Sequence, residues 1–244
     1  MKWVIKAFLL LLFANPLAGA YAATFAVGFY NYPPMMIEDG KTGIYQDIFD
    51  ALGRLTGDKF DVQYYPYPRI SLLFNSGQLD IEPGVYPGWV RNQPTPGVFS
   101  VPFGQVVDVM VFAPGKAFPV KRPEDLRGKS VGLVRGYAYP DLVPLIEAGQ
   151  IDRRNGLNEA QLLEMLARSR FDQIVANKAI VQYSMIKMPE YRYLEIGDVM
   201  SSFDVSMRVN PRHEAWLEKL DAAILTLKQQ GVIKNIYAKY GVHL

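Results

Sequence analysis

The 244-residue chain contains no cysteine. This absence excludes disulfides, Cys-ligated metal sites, a thiol nucleophile and the lipid-bearing cysteine of a bacterial lipoprotein. Histidine is scarce as well, since His213 and His243 are the only two. The chain therefore offers few histidines for a zinc site or for a Ser-His-Asp triad. We expect no metal and no cofactor, and hydrolase chemistry is disfavoured.

Long apolar runs are missing beyond the N-terminus. There, two lysines and an apolar run over residues 7–14 lead into small residues that end in Ala20-Tyr21-Ala22. This order predicts a secretory signal peptide over residues 1–22, cleaved ahead of Ala23, with a site after Ala20 as the alternative. The run is too short for a membrane anchor, because a bilayer-spanning helix needs about 20 apolar residues. We expect a soluble protein exported to the periplasm.

The chain also lacks an excess of either charge. It has 26 basic and 24 acidic side chains, and removal of Lys2 and Lys6 with the signal peptide leaves 24 of each. A nucleic-acid-binding protein shows a basic excess on one face, and no cluster of lysine and arginine of that kind occurs. Nucleic acid is therefore an unexpected partner.

Hydrophobic periodicity predicts alternating strands and helices in the first half of the mature chain. The strands are predicted over residues 25–29, 60–65, 79–81 and 106–112, and the helices over residues 44–55 and 70–74. Between the last two strands, prolines and glycines crowd residues 83–89, a segment that we expect to form a loop. Alternation of this kind is typical of an α/β fold.

A second cycle of elements follows Pro114-Gly115. Strands are predicted over residues 130–134, 171–175, 191–196 and 203–209, and helices after Pro140, over residues 158–167, after Asn210-Pro211 and over residues 233–240. We interpret the whole as an α/β fold with two lobes, a cleft between them and two hinge crossings. Lobe 1 is predicted to comprise residues 23–112 and 208–244, and lobe 2 residues 113–207.

Several short motifs occur in a characteristic order. Residues 126–132 with Gly136 resemble the pattern L-x-G-K-x-V-G-x-x-x-G, and residues 99–103 resemble F-S-x-P-Y. Residues 43–47, 76–80 and 169–172 add supporting fragments. Together they make the mature chain similar to the bacterial extracellular solute-binding proteins of family 3, which are type II periplasmic binding proteins. The resemblance implies a monomer that captures a small polar, amino-acid-like ligand between its lobes and delivers it to an ABC permease in the inner membrane.

The resemblance also implies ligand-binding positions in lobe 1. Arg91 stands where the family has an arginine that grips the ligand carboxylate, a task that suits the two parallel donors of a guanidinium. Tyr32 and Tyr67 fall where aromatic residues sandwich the ligand side chain. Arg69 either contacts ligand or caps its loop. Glu82 either supplies a negative charge to the cleft or pairs with Arg69 or Arg91.

In lobe 2 the implied positions are Gly136, Tyr137 and Asn177. Gly136 and Tyr137 are expected to present backbone N–H groups at a helix N-terminus, which would bind an anion. Asn177 stands where the family has an aspartate that holds the ligand ammonium, and a neutral amide pairs with an ammonium far less strongly than a carboxylate does. The ligand is thus an amino acid held differently, a related carboxylate or a cation.

Two other functions remain open from the sequence. One is an enzyme similar to the periplasmic cyclohexadienyl dehydratases, with Glu82 as the acid and Lys178 as a helper. The other is a sensory protein that presents bound ligand to a membrane receptor. Because the chain contains no recognisable catalytic constellation, we expect that it is not an enzyme.

Overall fold

The computed structural model describes residues 22–243, so the predicted signal peptide lies outside the described residues except for Ala22. Within that range the strands are Thr24–Phe29 (β1), Lys59–Tyr64 (β2), Ile81–Val85 (β3), Val98–Phe99 (β4), Gly104–Phe112 (β5), Ser130–Val134 (β6), Asp152–Gly156 (β7), Gln173–Asn177 (β8) and Glu195–Val209 (β9). The α-helices are Ile44–Thr56 (α1), Tyr67–Asn75 (α2), Pro87–Val90 (α3), Val143–Glu147 (α4), Glu159–Ala167 (α5), Lys178–Lys187 (α6), Leu217–Gln229 (α7) and Val232–Lys239 (α8). Short 3-10 helices cover Pro123–Leu126, Pro189–Tyr191 and Pro211–Trp216. None of the helices in this part of the chain is long and apolar enough to cross a membrane.

The strands form a mixed sheet in the order β2-β1-β3-β9-β5-β8-β6-β7, with β4 paired to β9. Strand β1 pairs in parallel with β2 and β3, and β6 pairs in parallel with β7 and β8. Strand β9 runs antiparallel to β3, β4 and β5, and β5 runs antiparallel to β8. The sheet therefore consists of two parallel groups that are joined through the antiparallel strands β5 and β9.

Helix α1 shows why the periodic segments fold as expected. Its apolar residues recur at helical spacing, and Ile44, Ile48 and Leu52 are fully buried. The helix ends at Gly57, whose φ of 77° lies in the left-handed region that favours glycine. The predictions for this helix and its stop are confirmed.

The predicted loop over residues 83–89 is wrong in part. Strand β3 continues through Pro83 and Gly84, and its pairing with β9 shifts register between Glu82 and Val85. A β-bulge at this point accommodates a proline without a donor and a glycine at φ +76°. The next proline, Pro87, begins helix α3, because its fixed φ suits the first turn of a helix.

Lobe 2 contains further differences from the sequence prediction. Helix α4 begins at Val143 and not at Pro140, and strand β7 and helix α6 were not predicted at all. The two strands predicted over residues 191–196 and 203–209 are one 15-residue strand, β9. Hydrophobic periodicity does not reveal strand β7, because its sequence, Asp-Arg-Arg-Asn-Gly, is polar, as an edge strand can be.

Each lobe has its own buried core. In lobe 1 the core lies between β1 and helices α1, α7 and α8, with a smaller cluster under α2. In lobe 2 two clusters cover the opposite faces of the sheet, one beneath α5 and α6 and one beneath α4. Helices on both faces of a sheet are the usual way to bury parallel strands such as β6.

Strands β5 and β9 carry the chain between the lobes. Residues 108–112 of β5 pair with β8 as well as β9, which places them in lobe 2, whereas residues 206–209 of β9 pair with β3 and β4 of lobe 1. The predicted return crossing near residue 208 remains our proposal. For the first crossing, which the sequence places after Phe112, we propose a position nearer residues 104–107.

Candidate functional site

Tyrosines line the edge of lobe 1 at the point where its parallel strands end. Tyr30 and Tyr32 follow β1, and Tyr67 follows β2 as the first residue of α2. The ring centroids of Tyr30 and Tyr32 are 5.4 Å apart, and those of Tyr30 and Tyr67 are 4.9 Å apart. The Tyr67 side chain is 55% exposed despite this packing. We call these three residues the tyrosine panel.

The strand ends of lobe 2 face the tyrosine panel. Strands β6 and β7 end side by side at Val134 and Gly156, and the residues that follow include Tyr137, which is partly exposed, and Glu159, which is buried. Ligands of open α/β sheets bind outside the carboxyl ends of the strands. The loops of both lobes therefore occupy positions suited to binding.

A hydrogen bond connects the two edges. The Tyr32 hydroxyl donates to Glu159 Oε1 over 3.3 Å. Burial raises the pKa of Tyr137, and the neighbouring negative charge of Glu159 raises it further. The strand-end loops of the two lobes thus face each other across a narrow gap, with Tyr32 on one side and Glu159 and Tyr137 on the other.

Glu82 does not pair with Arg69 or Arg91, contrary to one of the two interpretations of the sequence. Its carboxylate accepts a hydrogen bond of 2.8 Å from Arg208 Nη1, and neither side chain has appreciable contact with solvent. Burial raises the pKa of Glu82, and the Arg208 guanidinium opposes that effect. The charge of Glu82 is therefore already compensated inside lobe 1.

Arg208 also anchors the segment that follows Arg91. Its Nε donates to the carbonyl oxygen of Pro96 over 2.9 Å, and its Nη2 donates to the carbonyl oxygen of Thr95. The guanidinium lies 4.0 Å from the centroid of the Phe74 ring, a cation-π contact. Each of its three guanidinium nitrogens thus donates a hydrogen bond within the protein.

The two arginines predicted to bind ligand lie on the surface. Arg91 caps the C-terminus of α3, and Arg69 lies in the first turn of α2. Both are exposed, and within residues 22–243 neither side chain forms an ion pair or a hydrogen bond. Their guanidinium donors are therefore available to an outside partner.

Gly136 does not stand at a helix N-terminus, so that prediction is wrong. The residue adopts φ +86° in a turn, and helix α4 begins seven residues later and is only five residues long. Tyr139 stabilises the intervening loop, since its hydroxyl oxygen accepts a hydrogen bond of 3.0 Å from the Val134 N–H. A loop that is held by a side chain replaces the expected helical turn.

Asn177 is buried and caps helix α6. Its side-chain oxygen accepts hydrogen bonds from the backbone N–H groups of Ala179 and Ile180, at 2.9 and 3.4 Å. Asparagine is among the preferred N-cap residues, which explains a helix that the weak periodicity of residues 178–187 did not reveal. In the sheet Asn177 pairs with Asp108 of β5, so the two side chains are cross-strand neighbours.

Asp108 and Glu159 were not predicted as site residues. Asp108 is half-buried, and its Oδ2 accepts a hydrogen bond of 3.0 Å from the Ser201 hydroxyl. Burial raises the pKa of both carboxyls, and the charge of Asp108 adds to the effect on Glu159. An aspartate within the β-prone run of residues 106–112 is a signal that could have drawn attention to this position, because a buried carboxylate is costly.

Comparison with known proteins decides the family. The model of the bacterial extracellular solute-binding proteins, family 3, matches residues 26–243. The chain belongs to this family. Curated proteins yield no match to the sequence. Family 3 membership confirms the resemblance carried by the short motifs, including residues 126–132.

Solved structures of related architecture include three of particular interest. An ancestral arginine-binding protein bound to arginine has a TM-score of 0.69 and 22% identity, over 89% of this chain and 97% of that chain. The GluR0 ligand-binding core in complex with L-glutamate has a TM-score of 0.73 and 18% identity, over 91% and 99%. A histidine kinase sensor domain with similarity to periplasmic binding proteins has a TM-score of 0.70 and 20% identity, over 90% and 95%. At these identities the likeness shows the fold, which is the two-lobed type II fold expected from the sequence.

Proposed function

We propose that this family 3 protein is a periplasmic solute-binding protein that captures a small polar ligand, amino-acid-like or a related carboxylate, and delivers it to an ABC importer. The observation that carries the proposal is the hydrogen bond between Tyr32 and Glu159. It joins the strand-end loops of two lobes that are connected through only two strands, so a ligand placed between these loops would contact both lobes. Such a ligand favours the closed form over the open one, and the permease recognises the closed form.

The side chains of the cleft supply both apolar and polar contacts. Tyr32, Tyr67 and Tyr137 offer ring faces to the apolar stem of a ligand. Arg91 is exposed and has no partner in the described part of the chain, and we assign it the ligand carboxylate. Arg69 is a second donor of the same kind. Asn177 contributes through the end of β8, and Gly136 through the turn that carries Tyr137.

A thermal-shift screen of the mature protein tests the proposal. Amino acids, oligopeptides, polyamines and organic acids are added one at a time, and a ligand that binds the folded state raises the melting temperature by mass action. At one hundred times Kd the stabilisation is about 2.7 kcal/mol, which for a protein of this size corresponds to roughly 5–10 °C. If every compound leaves the melting temperature unchanged, the proposal fails.

Arg91→Lys tests the assigned carboxylate contact. Lysine keeps the charge but loses the bidentate geometry, so we expect affinity for a carboxylate ligand to fall about tenfold. Arg170→Lys is the matched control, because Arg170 is equally exposed but precedes β8, at the edge of lobe 2 opposite to the strand ends. Equal affinities of the two variants would remove Arg91 from the site.

A sensory role is the second candidate, favoured by the shared fold of the histidine kinase sensor domain. Capture of a membrane receptor by the ligand-loaded protein, in preference to a permease, would support this role. The ion pair between Arg208 and Glu82, the suspected acid, speaks against the enzymatic alternative. Incubation with prephenate or arogenate tests it directly, and release of an aromatic product would replace the transport proposal.

A further inference from the structure

Buried carboxylates in this protein follow a rule with one exception. Four acidic residues are buried within residues 22–243, and three of them pair with a cation: Asp58 with Lys219, Asp80 with Arg212 and Glu82 with Arg208. The fourth is Glu159. It is 4% exposed, and no lysine, arginine or histidine nitrogen of the described chain comes within 4.0 Å of its carboxylate.

Glu159 lies at the gap between the lobes and not in either core. Its Oε1 accepts the hydroxyl proton of Tyr32. Burial raises the pKa of this carboxyl, and hydrogen bonds from its own N–H, from Tyr32 and from Tyr137 only partly oppose that effect. A carboxylate largely removed from water without a cation carries a desolvation cost that hydrogen bonds from phenols do not fully offset. A positively charged group from another molecule is therefore suited to compensate this charge.

Asp108 adds a second uncompensated carboxylate. It stands at the cleft end of the central strands, across from Asn177, the last residue of β8. Among residues 22–243 the Ser201 hydroxyl is its one hydrogen-bond donor, to Oδ2, so its Oδ1 is left for another donor. The charge of Asp108 adds to the effect of burial on the pKa of Glu159, so the two carboxyls are close enough to interact electrostatically.

The walls around these carboxylates also suit a cation. Tyr32, Tyr137 and Tyr139 are the titratable groups that face them, and all three remain neutral because burial raises the pKa of each phenol. Arg153 is a basic group that contacts the ring of Tyr139. Its guanidinium donates to Asn155 and to the Val134 carbonyl and covers the Tyr139 ring, so it is already engaged. Neutral aromatic faces attract organic cations through their quadrupoles.

We infer that the ligand of the cleft carries, apart from any α-ammonium, a side-chain cation that ends in an ammonium or a guanidinium, and that Asp108 and Glu159 receive it. The inference rests on the proposed function, since it names the ligand class of the same cleft. The cation supplies donors to the two carboxylates, and its apolar stem lies against the tyrosine rings. Arg91 remains available for a carboxylate at the other end of the ligand.

Isothermal titration calorimetry with four probes tests the charge preference. L-arginine carries a guanidinium and a carboxylate, and agmatine carries a guanidinium and an ammonium but no carboxylate. L-glutamine is neutral in its side chain, and L-glutamate is acidic there. We expect L-arginine to bind at least about tenfold more tightly than L-glutamine or L-glutamate, because each charge-assisted hydrogen bond contributes a factor of that order. Agmatine is expected to bind as well, more weakly if Arg91 holds the carboxylate.

Glu159→Gln and Asp108→Asn test the residues. Each keeps the size of the side chain and removes the charge, and each should lower the affinity for L-arginine at least about tenfold. Glu164→Gln is the matched control on helix α5, where Glu164 is exposed and pairs with Arg168, and it should leave affinity unchanged. The unliganded Glu159→Gln protein should melt no lower than the unchanged protein, since it loses an uncompensated buried charge, and this readout separates ligand binding from a structural role.

The possible outcomes are distinct. Preference for L-glutamate or L-glutamine overturns the inference and leaves the proposed function intact. Full L-arginine affinity in both variants also overturns it. If none of these probes and no compound of the wider thermal-shift screen binds, the inference and the proposed function fail together.

Discussion

Replacement of Arg208 by methionine should destabilise the protein strongly. The substitution leaves Glu82 buried, at 4% exposure, without the cation that lies 2.8 Å away. Breaking a buried ion pair from one side costs about 3–5 kcal/mol, because the remaining charge is uncompensated. The carbonyl oxygens of Thr95 and Pro96 lose their donors as well, so the upper part of this range is the better expectation.

The expected loss is large enough to measure by thermal unfolding. For a protein of 150–250 residues, about 1 kcal/mol shifts the melting temperature by roughly 2–4 °C. Circular dichroism melts at pH 7 should therefore show a decrease of roughly 10 °C or more. Because Thr95 and Pro96 follow Arg91 closely, we also expect weaker ligand binding at temperatures where the variant is folded.

An exposed ion pair of the same length provides the control. Arg168 and Glu164 are also 2.8 Å apart, but both are more than half exposed. Arg168→Met should cost at most about 1 kcal/mol, since solvent screens surface pairs and few contribute more. The double variant Glu82→Gln with Arg208→Met should recover part of the loss, because no unpaired charge then remains buried. If Arg208→Met melts at the same temperature as Arg168→Met, burial does not set the strength of the pair and the reasoning is wrong.

Two further predictions concern the cleft and acid stability. Tyr32→Phe removes the donor to Glu159, so we expect small-angle scattering to show a larger radius of gyration. Calorimetry should show about fivefold weaker ligand binding, because a hydrogen bond contributes about 1 kcal/mol. An unchanged radius of gyration would contradict the role of Tyr32 between the lobes. Burial would raise the pKa of Asp80, but hydrogen bonds from the Ala26 N–H, Arg212 and His213 outweigh it and hold that pKa below its usual range. Ionised Asp80 therefore stabilises the fold above the unfolded-state pKa of about 4, and this stability is lost as the pH falls through the lower folded-state value. Asp80→Asn should be less stable at pH 7 by about 1–3 kcal/mol and should lose less stability on acidification, so parallel acid-unfolding curves would refute the assignment.

Local patterns in the sequence are enough to predict much of the fold. Helix α1 and its glycine stop, strand β6 with its preceding motif, and helices α5 and α8 all follow from spacing and turn residues within about 15 positions. Family 3 membership could be predicted for the same reason, because its motifs are short and contiguous. Where local signals were weak, as in the polar strand β7 and in helix α6, the prediction missed the element.

The partners of the buried charges depended on tertiary structure. Glu82 and Arg208 are 126 positions apart, and Tyr32 and Glu159 are 127 positions apart. No periodicity links such positions, since only the antiparallel pairing of β3 with β9 and the approach of the two lobes bring them together. Composition, spacing and turn chemistry thus determined the fold class and the family. The tertiary structure decided which carboxylates pair with a cation inside the protein and which face the cleft without one. The reason is that charge compensation depends on distance and burial and not on sequence order.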